Sequence, residues 1–572
     1  MTESTGSDGT ASGDTLTPLS PEVAAIRDGY TFEEPAIDLG VLMEDDTPLP
    51  DVRVRIPLSM LNRHGLVAGA TGTGKTKTLQ VLTEAMSAAG VPVFAADIKG
   101  DLSGLAAPGE VSDKLTARTA KIGQAWEPRS CPVEFYSLGG GDVGVPLRAT
   151  VTSFGPILLS KVLGLNKTQE SSLGLIFHYA DVAGLPLLDL ADLRSVLTYL
   201  SSDEGKGELK GIGGLSSTTV GVILRSLITL ADQGADEFFG EPEFDTADLL
   251  RVTGDGRGVI SLLELPTLVS KPALFSTFLM WVLADLFSDL PEVGDVEKPK
   301  LVFFFDEAHL LFNGASDAFL TAITQTVRLI RSKGVGIFFV TQTPKDVPDD
   351  VLAQLGSRVQ HQLRAHTPND AKALRQTVAT FPKSHYDLAE ALQSLGIGEA
   401  IVTVMDPDGA PTPVAWTRML APESLMDAIP PDALRPGIAQ SSMMTRYGTE
   451  VDRDSAYEML TRKLEAGAAS AEQERMAAEA AKQQAEFEKQ QQAAATQAEK
   501  DRIAAEKQAA KERAEAERRA AKERAEAERQ AKAQERESAR ARKQTTDMVG
   551  KVLRSSVARD IVRSIFGTAR RR

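Results

Sequence analysis

Positions 69–76 of the chain read GATGTGKT. This stretch fits the spacing G-x-x-x-x-G-K-[S/T], in which glycines let successive backbone N–H groups turn inward around phosphate oxygens. The segment HGLVAGA that leads into it has the composition of a buried strand, and KTLQVLTEAMSAAG after it has the apolar spacing of a helix. A helix N-terminus adds further N–H donors and a dipole that favours negative charge. Strand, turn and helix together predict a phosphate-binding loop in an α/β fold.

The residue types in this loop predict how a nucleoside triphosphate is held. We expect Lys75 to bind the β- and γ-phosphates and Thr76 to coordinate Mg²⁺, so the predicted cofactors are ATP and Mg²⁺. The other positions supply backbone donors. The predicted nucleotide-binding residues are Gly69, Ala70, Thr71, Gly72, Thr73, Gly74, Lys75 and Thr76.

A second chemical signal lies much later in the chain, where the apolar segment LVFFF at 301–305 ends in Asp306 and Glu307. Two adjacent carboxylates after a buried strand are costly unless a cation lies nearby. We therefore expect Asp306 to bind the magnesium shell and Glu307 to orient and deprotonate the attacking water. Asp-Glu-Ala-His matches the DEAH box of one helicase superfamily, but the arginine-rich motif QRxGRxGR of its second lobe is missing from the sequence. His309 is accordingly interpreted as part of the first turn after the acid pair.

Polar and basic residues around the next predicted strand complete the site. Gln342 follows the segment GIFFVT and is expected to contact the γ-phosphate or the lytic water, with a turn-capping role as the alternative. Arginines often stabilise the phosphoryl transition state, and some are supplied in trans. The candidates are Arg328, Arg331, Arg358 and Arg364. We favour Arg331 and then Arg358, with surface salt bridges as the alternative. The predicted catalytic residues are thus Glu307, Lys75, Gln342, Arg331 and Arg358.

The segment DIKGDLSG carries Asp97, Lys99 and Asp101 at the end of another predicted strand. Loops on the substrate side gather at the carboxyl edge of a parallel sheet. These three residues are therefore candidates for the same site, and an ordinary turn is an adequate alternative.

Short apolar segments that end in small or acidic residues alternate with helical segments along much of the chain. This alternation predicts an α/β fold with a mostly parallel sheet and helices on both faces. The predicted strands lie at 65–70, 92–98, 133–138, 258–263, 301–305, 336–341, 358–364 and 399–404. Between about 150 and 250 the apolar spacing becomes three and four, which predicts a helical insertion.

The two ends of the chain differ from this domain in composition. Residues 466–546 are rich in Ala, Glu, Lys, Arg and Gln and lack proline, which predicts a long charged helix, either solvated or in a coiled coil. The predicted boundaries are 1–27 for a disordered N-terminus, 28–64 for a short strand-containing lead-in, 65–425 for the α/β domain, 426–465 for connecting helices, 466–546 for the charged helix and 547–572 for a basic amphipathic helix.

Composition excludes several classes of protein. The formal net charge of −16 argues against a protein that coats nucleic acid over its whole surface, although a local basic channel is compatible with it. A single cysteine excludes intrachain disulfides and Cys-cluster metal sites. The acidic N-terminus is unlike a signal peptide, and no uncharged apolar run reaches roughly 20 residues. We therefore expect a cytoplasmic chain without a transmembrane segment.

Seven stretches together resemble the HerA/FtsK branch of RecA-like motor ATPases, and within it the bacterial HerA-like proteins of the YjgR type. They are NRHGLVAGATGTGKT, PVFAADIKGDLSG, FFGEP, KPKLVFFFDEAHLLF, VRLIRSKGVGIFFVTQTP, LGSRVQHQLRAHTP and LGIGEAIV. By this resemblance the fold is RecA-like, and the Walker A, Walker B and sensor roles fall on Lys75, Thr76, Asp306, Glu307 and Gln342. The family also implies a ring, expected to be a hexamer, with ATP between subunits and an arginine supplied in trans.

The resemblance implies a motor that hydrolyses ATP and moves along or remodels double-stranded DNA. Conjugation and secretion ATPases share this core, so a motor acting on a protein or a membrane-associated assembly is the alternative, and a nucleotide-gated scaffold is a third. The candidate partners are further copies of the chain, double-stranded DNA, and a nuclease or membrane partner that docks through the helix at 547–572.

Overall fold

The computed structural model describes residues 19–138, 143–208, 213–264, 272–294, 296–312 and 317–523. The chain divides after Leu464 into two compact units. The first unit contains the sheet and the predicted site residues, and the second begins within a long helix.

Twelve strands in the described part of the chain form one sheet. They are β1 (Ala36–Glu44), β2 (Thr47–Pro57), β3 (Gly65–Ala68), β4 (Val93–Asp97), β5 (Val133–Leu138), β6 (Val145–Leu147), β7 (Ile260–Glu264), β8 (Leu301–Phe305), β9 (Val335–Thr341), β10 (Ser357–Gln360), β11 (Glu399–Thr403) and β12 (Ala415–Met419). Their spatial order is β2-β1-β12-β11-β10-β3-β9-β8-β4-β7-β5-β6. From β10 to β6 all neighbours are parallel, whereas β11, β12, β1 and β2 add an antiparallel edge. The predicted α/β fold with a mostly parallel sheet is confirmed.

The central strands are buried on both faces. In β8, Phe303 and Phe305 pack into one hydrophobic cluster, while Val302 and Phe304 pack into another. Because successive side chains point to opposite faces of a sheet, a strand with two covered faces must be apolar at nearly every position. This is why LVFFF forms a continuous apolar run rather than an alternating one.

Helices of the first unit cover both faces of the sheet, and the described part of the chain contains sixteen α-helices in all. They are α1 (Pro21–Gly29), α2 (Lys75–Ala88), α3 (Asp113–Lys121), α4 (Val151–Val162), α5 (Lys167–Val182), α6 (Leu190–Ser201), α7 (Ser217–Asp232), α8 (Pro272–Asp289), α9 (His309–Phe312), α10 (Asp317–Ile330), α11 (Asp349–Leu352), α12 (Pro368–Val378), α13 (Leu388–Ser394), α14 (Pro431–Ala439), α15 (Ser442–Tyr447) and α16 (Ala456–Glu523). Side chains of α2 and α14 belong to one cluster, and those of α4 to α8 and α10 belong to the other. Helices α4 to α7 are the predicted helical insertion.

The prediction of disorder over 1–27 is wrong for its last residues. Helix α1 begins at Pro21, and the Ser20 side chain caps it by accepting a hydrogen bond from the Val23 N–H at 3.2 Å. Val23 and Ile26 lie one turn apart and are both buried, so two apolar residues anchor this short helix. Residues 1–18 lie outside the described part of the chain.

The segment predicted as a lead-in, 28–64, supplies the antiparallel edge of the sheet. β1 pairs with both β2 and β12. The Tyr30 hydroxyl donates hydrogen bonds at 3.0 Å to the carbonyl oxygens of Val402 in β11 and Pro413 just before β12. This segment is therefore packed as part of the sheet.

The long charged helix predicted at 466–546 is helical as far as Glu523, because α16 spans Ala456–Glu523. The rest of that segment and the basic helix predicted at 547–572 lie outside the described residues. No helix within the described ranges combines the length and the apolar character that a membrane span requires.

Candidate nucleotide-binding site

Four neighbouring parallel strands end at one edge of the sheet, in the order β3, β9, β8 and β4. β3 leads into the loop 69–74 and β4 into the segment 98–102. Between them, β9 ends just before Gln342, and β8 ends just before Asp306 and Glu307. The topology thus brings residues from four parts of the sequence to one place, as expected at the carboxyl edge of a parallel sheet.

The loop after β3 is fixed by backbone hydrogen bonds to the strands on either side. The Gly69 N–H donates to the Thr341 carbonyl at 3.2 Å, and the Ala70 N–H donates to the Gln362 carbonyl at 2.8 Å. These bonds set the start of the loop relative to β9 and β10.

The far end of the loop contacts the turn before β11. The Gly398 N–H donates to the Thr73 carbonyl at 3.0 Å. Gly74 is the N-cap of α2 with a φ of 112°, and a Cβ on it would lie 3.2 Å from the Gly398 backbone. Both the conformation and the available space at position 74 therefore require glycine.

Lys75 is the first residue of α2, and its ammonium group lies inside the loop. Its Nζ donates to the Gly69 carbonyl at 2.8 Å and to the Ala70 carbonyl at 3.2 Å. Burial lowers the pKa of Lys75, and the negative charges of Glu307 and Asp306 oppose that shift. The lysine and the acid pair therefore interact electrostatically across the end of β9.

Asp306 and Glu307 are 4% and 5% exposed, so both carboxylates are buried. Burial, followed by the charge of Glu307, raises the pKa of Asp306 to about 7. Asp306 Oδ1 accepts a hydrogen bond from the Glu307 N–H at 2.9 Å, whereas Oδ2 is buried without a partner among the residues described. Glu307 has a φ of 48°, a left-handed conformation that is strained for a residue with a side chain and that concentrates at functional sites.

The Glu307 carboxylate lies between two basic side chains. Its Oε1 accepts a hydrogen bond from Lys99 Nζ, and its Oε2 lies 3.2 Å from His309 Nδ1. Burial acts to raise the pKa of Glu307, but the hydrogen bond and charge of Lys99 outweigh it, so the pKa falls below its usual value. Glu307 is therefore ionised at neutral pH, which is the form that a general base needs.

Further carboxylates surround Asp306. Asp97, Asp101 and Asp306 each offer an oxygen atom, and these atoms all lie within 4.8 Å of one another. Burial raises the pKa of Asp97 to about 6. At the end of the adjacent β7, burial and then the charges of Asp97 and Asp101 raise the pKa of Glu264 to about 8. Such crowding favours a bound cation or bound protons.

The residues present fit Mg²⁺, which prefers oxygen ligands. Within the described ranges, the buried oxygens Asp306 Oδ2, Asp101 Oδ1 and Glu264 Oε1 have no hydrogen-bond partner. Thr76 lies in the first turn of α2 and adds a hydroxyl. Asp306 and Thr76 stay the predicted ligands, and Asp101 is near enough to Asp306 to contact the same ion or its water shell.

A cavity of about 460 Å³ opens beside the start of α2. Gly74 and Thr78 line its loop side, and Trp126, Ile397 and Leu420 contribute apolar wall. The Trp126 indole N–H donates to the Pro422 carbonyl at 2.6 Å, which fixes the ring. The volume lies within the range of small-molecule pockets, roughly 300–1,000 Å³.

The other predicted residues, Gln342, Arg331 and Arg358, lie at different parts of the sheet. Gln342 is exposed just beyond β9, between the loop and the acid pair. Arg331 lies in the 3-10 turn before β9, at the opposite edge of the sheet. Arg358 is within β10, and its Nη1 donates to the Thr380 carbonyl at 2.9 Å. The catalytic roles of both arginines stay predictions.

Several features of the site were outside the reach of sequence reasoning. Arg364, a candidate from the sequence that is not among the two favoured arginines, donates from Nη2 to the Thr71 carbonyl at 3.3 Å, and the sequence gives no sign of this contact. Trp126 carries no motif signal, because its partners follow β12, far away in the sequence. The Lys99–Glu307 contact could be suspected from a lysine flanked by acids after a strand, but the pairing needs the strand order.

With the geometry in place, comparison with known proteins identifies the family. The family described as "Helicase HerA-like C-terminal" matches residues 43–503, which is most of the 572-residue chain. The chain belongs to this family. The resemblance to HerA proteins is confirmed, while the YjgR-type detail stays a prediction.

Two curated relatives are similar to this HerA-like chain. It is 24% identical over 356 residues to the DNA double-strand break repair helicase HerA of Saccharolobus solfataricus, covering 62% of this chain and 64% of that protein. It is 23% identical over 375 residues to the protein of the same description from Sulfurisphaera tokodaii, covering 65% and 67%. The HerA-like chain thus spans about 64% of the length of the first relative.

Solved structures with a similar fold include two bacterial proteins. The bacterial conjugative coupling protein TrwB, in a form named deltaN70, aligns with a TM-score of 0.47 at 16% identity, over 72% of this chain and 94% of that chain. VirB4 of Thermoanaerobacter pseudethanolicus aligns with a TM-score of 0.44 at 14% identity, over 69% and 98%.

Replacing Asp306 by Asn should stabilise the protein prepared without nucleotide above pH 7. Folded Asp306 has a pKa of about 7, above the ordinary value of about 3.9 in an unfolded chain, so the free energy of unfolding falls as pH rises from about 4 to about 7. Asparagine cannot ionise, so the variant should exceed the wild type by roughly 1–4 kcal/mol at pH 8 and match it near pH 4. Chemical denaturation at both pH values measures the difference.

Asp51→Asn on the exposed face of β2 is the matched control and should change neither value. A difference between Asp306→Asn and wild type that is the same at both pH values would contradict a buried, proton-binding Asp306.

Proposed function

We propose that this HerA-like chain is a P-loop ATPase that binds MgATP at the loop 69–76 and hydrolyses it, and that it acts as a motor on double-stranded DNA. One observation carries the ATPase part: Lys75 and the buried pair Asp306 and Glu307 meet at one edge of the sheet, with Lys75 within electrostatic reach of both acids.

The geometry supports a role for each residue in the reaction. Lys75 and backbone N–H groups at the start of α2 bind the β- and γ-phosphates, and Mg²⁺, when held by Thr76 and Asp306, would neutralise charge on the phosphate oxygens. Glu307 accepts a proton from the attacking water, and Gln342 orients that water or the γ-phosphate. A bond forms between the water oxygen and the γ-phosphorus, the bond to the leaving oxygen of ADP breaks, and ADP and phosphate are released.

The cavity beside α2 supports a place for the nucleoside. It adjoins the phosphate loop through Gly74, and its walls include Trp126 and the 74% exposed side chain of Ile397. A planar purine is stabilised by apolar and aromatic surroundings. We therefore assign the base and ribose of ATP to this cavity.

DNA as the moved polymer is supported by the family and by its relatives, which are described as DNA double-strand break repair helicases. We further propose a hexameric ring with ATP between subunits. In such a ring Arg331 or Arg358 contributes from the neighbouring subunit, since Arg331 precedes β9 at the opposite edge of the sheet and Arg358 is hydrogen-bonded to the Thr380 carbonyl.

Lys75→Ala should abolish nucleotide binding, because it removes the ammonium group from the phosphate loop. Glu307→Gln should retain binding and lower ATP turnover by about 100-fold or more, because the base is lost while the phosphate contacts stay. Calorimetric titration with ATP and a phosphate-release assay separate the two effects. Normal turnover in Glu307→Gln would remove Glu307 as the base.

Nucleotide binding should change the tryptophan fluorescence, because a purine in the cavity lies against Trp126. The change should disappear in Trp126→Phe with the affinity lowered by only a few-fold. Trp281→Phe is the control, since Trp281 is buried in α8 and its change should leave the signal intact. A nucleotide-dependent signal that survives Trp126→Phe in full would place the base elsewhere.

Double-stranded DNA should stimulate ATP turnover several-fold at low salt, and the stimulation should fade as salt rises, because phosphate contacts release counterions on binding. Turnover measured with and without DNA at two salt concentrations tests this. No stimulation at either salt, combined with liposome binding that depends on residues 547–572, would favour a motor on a membrane-associated assembly.

A further inference from the structure

Lys99 has no part in the reaction described above, yet it contacts the residue proposed to deprotonate water. It follows β4 by two residues, in the segment 98–102. The Asp97 carboxylate accepts hydrogen bonds from the N–H groups of Lys99, Gly100 and Leu102 at 3.1, 2.8 and 2.7 Å. These bonds fix the backbone of the segment. The Lys99 side chain itself is 47% exposed and has room to change partners.

The ammonium group of Lys99 lies near both the acid pair and Lys75. It donates a hydrogen bond to Glu307 Oε1, and the charges of Asp306 and Asp101 also attract it. Lys75 is close enough for the two ammonium groups to repel each other. Two cations from different strand ends thus lie close to each other beside the acid pair, and a group with several negative charges that enters the site would be attracted to both.

We propose that Lys99 is a second γ-phosphate ligand that exchanges partners during the reaction. It is hydrogen-bonded to Glu307 until a triphosphate binds, and then it moves to the γ-phosphate and leaves the Glu307 carboxylate free to bind water. The inference rests on the proposed ATPase function and adds a regulation of that site. ADP has no γ-phosphate, so with ADP bound Lys99 stays on Glu307 and the base stays engaged.

The exchange strengthens the electrostatic interactions of Lys99 and still leaves the buried Glu307 carboxylate with a neighbouring side chain. A γ-phosphate offers more negative charge and more acceptor oxygens than one carboxylate, so the ammonium group gains by moving. Glu307 is buried, and losing its partner outright would be costly. His309, whose Nδ1 lies 3.2 Å from Glu307 Oε2, remains beside it.

The test compares the affinities for the triphosphate analogue AMP-PNP and for ADP, both with Mg²⁺, by isothermal titration calorimetry. Lys99→Met should weaken AMP-PNP binding by about tenfold or more, the value of a charged hydrogen bond, and change ADP binding by less than about twofold. Lys372→Met on the exposed surface of α12 is the matched control and should alter neither affinity. Equal weakening of both ligands, or no weakening of AMP-PNP, would overturn the proposal.

A double-mutant cycle adds a readout that general destabilisation does not produce. Glu307→Gln weakens the competing partner of Lys99, so AMP-PNP should bind about threefold or more tightly to that variant, and this gain should vanish when Lys99→Met is also present. Lys99→Met alone leaves the buried Glu307 carboxylate without its lysine partner, which destabilises the fold. The double variant carries glutamine at position 307 and so avoids that unpaired charge. A gain that persists without Lys99 would contradict the exchange.

Failure of the ATPase proposal itself would look different. Wild-type protein would then bind no AMP-PNP, or Lys75→Ala would bind it normally, and either result removes the basis of the exchange. Normal wild-type binding that depends on Lys75, together with unaltered ligand preference in Lys99→Met, overturns the role of Lys99 alone.

Discussion

Two carboxylates buried next to each other at the end of β8 are the constraint around which the site is arranged. Asp306 and Glu307 cannot both be charged in that environment without nearby cations. Lys99 and Lys75 provide positive charge from the ends of β4 and β3, and His309 lies beside Glu307. Burial raises the pKa of Asp306, while Lys99 keeps that of Glu307 low, so the two adjacent acids differ in protonation. Glu307 is therefore the acid ready to accept a proton, and Asp306 would release its proton on binding a metal cation.

The sheet makes that arrangement possible. Parallel strands place all their carboxyl ends at one edge, and the side chains of β8 and β9 pack into a hydrophobic cluster on each face of the sheet. The loop at 69–74 is hydrogen-bonded to the ends of β9 and β10. Helix α2 therefore points its N-terminus at a volume whose opposite wall is acidic, and a magnesium triphosphate is the kind of ligand that matches both walls.

Much of the fold followed from local sequence. The eight predicted strands all occur, because strands buried on both faces leave continuous apolar runs that end in polar residues. The long edge strands β1 and β2 were less visible, since several positions of β2 are exposed and the pairing of β1 with β12 is long-range. Helix α1 was missed because only Val23 and Ile26 anchor it. The roles of individual site residues were predicted from local motifs, such as GATGTGKT and the adjacent acids Asp306 and Glu307.

Pairings between distant residues could not be read from the sequence. The contact of Lys99 with Glu307 requires β4 to lie next to β8, and the cavity wall at Trp126 requires the segment after β12 to pack against it. Strand order is set by tertiary packing, so neither composition nor periodicity contains it. The same holds for Arg364, whose contact with the loop at Thr71 depends on β10 lying beside β3.

A crystal structure with AMP-PNP and Mg²⁺ would test the central claim most directly. The account predicts the γ-phosphate between Lys75 and Glu307, with one cation bound by Thr76 Oγ1 and, directly or through a water, by Asp306. A triphosphate bound outside the loop, or a cation that contacts Thr76 without approaching Asp306, would contradict it.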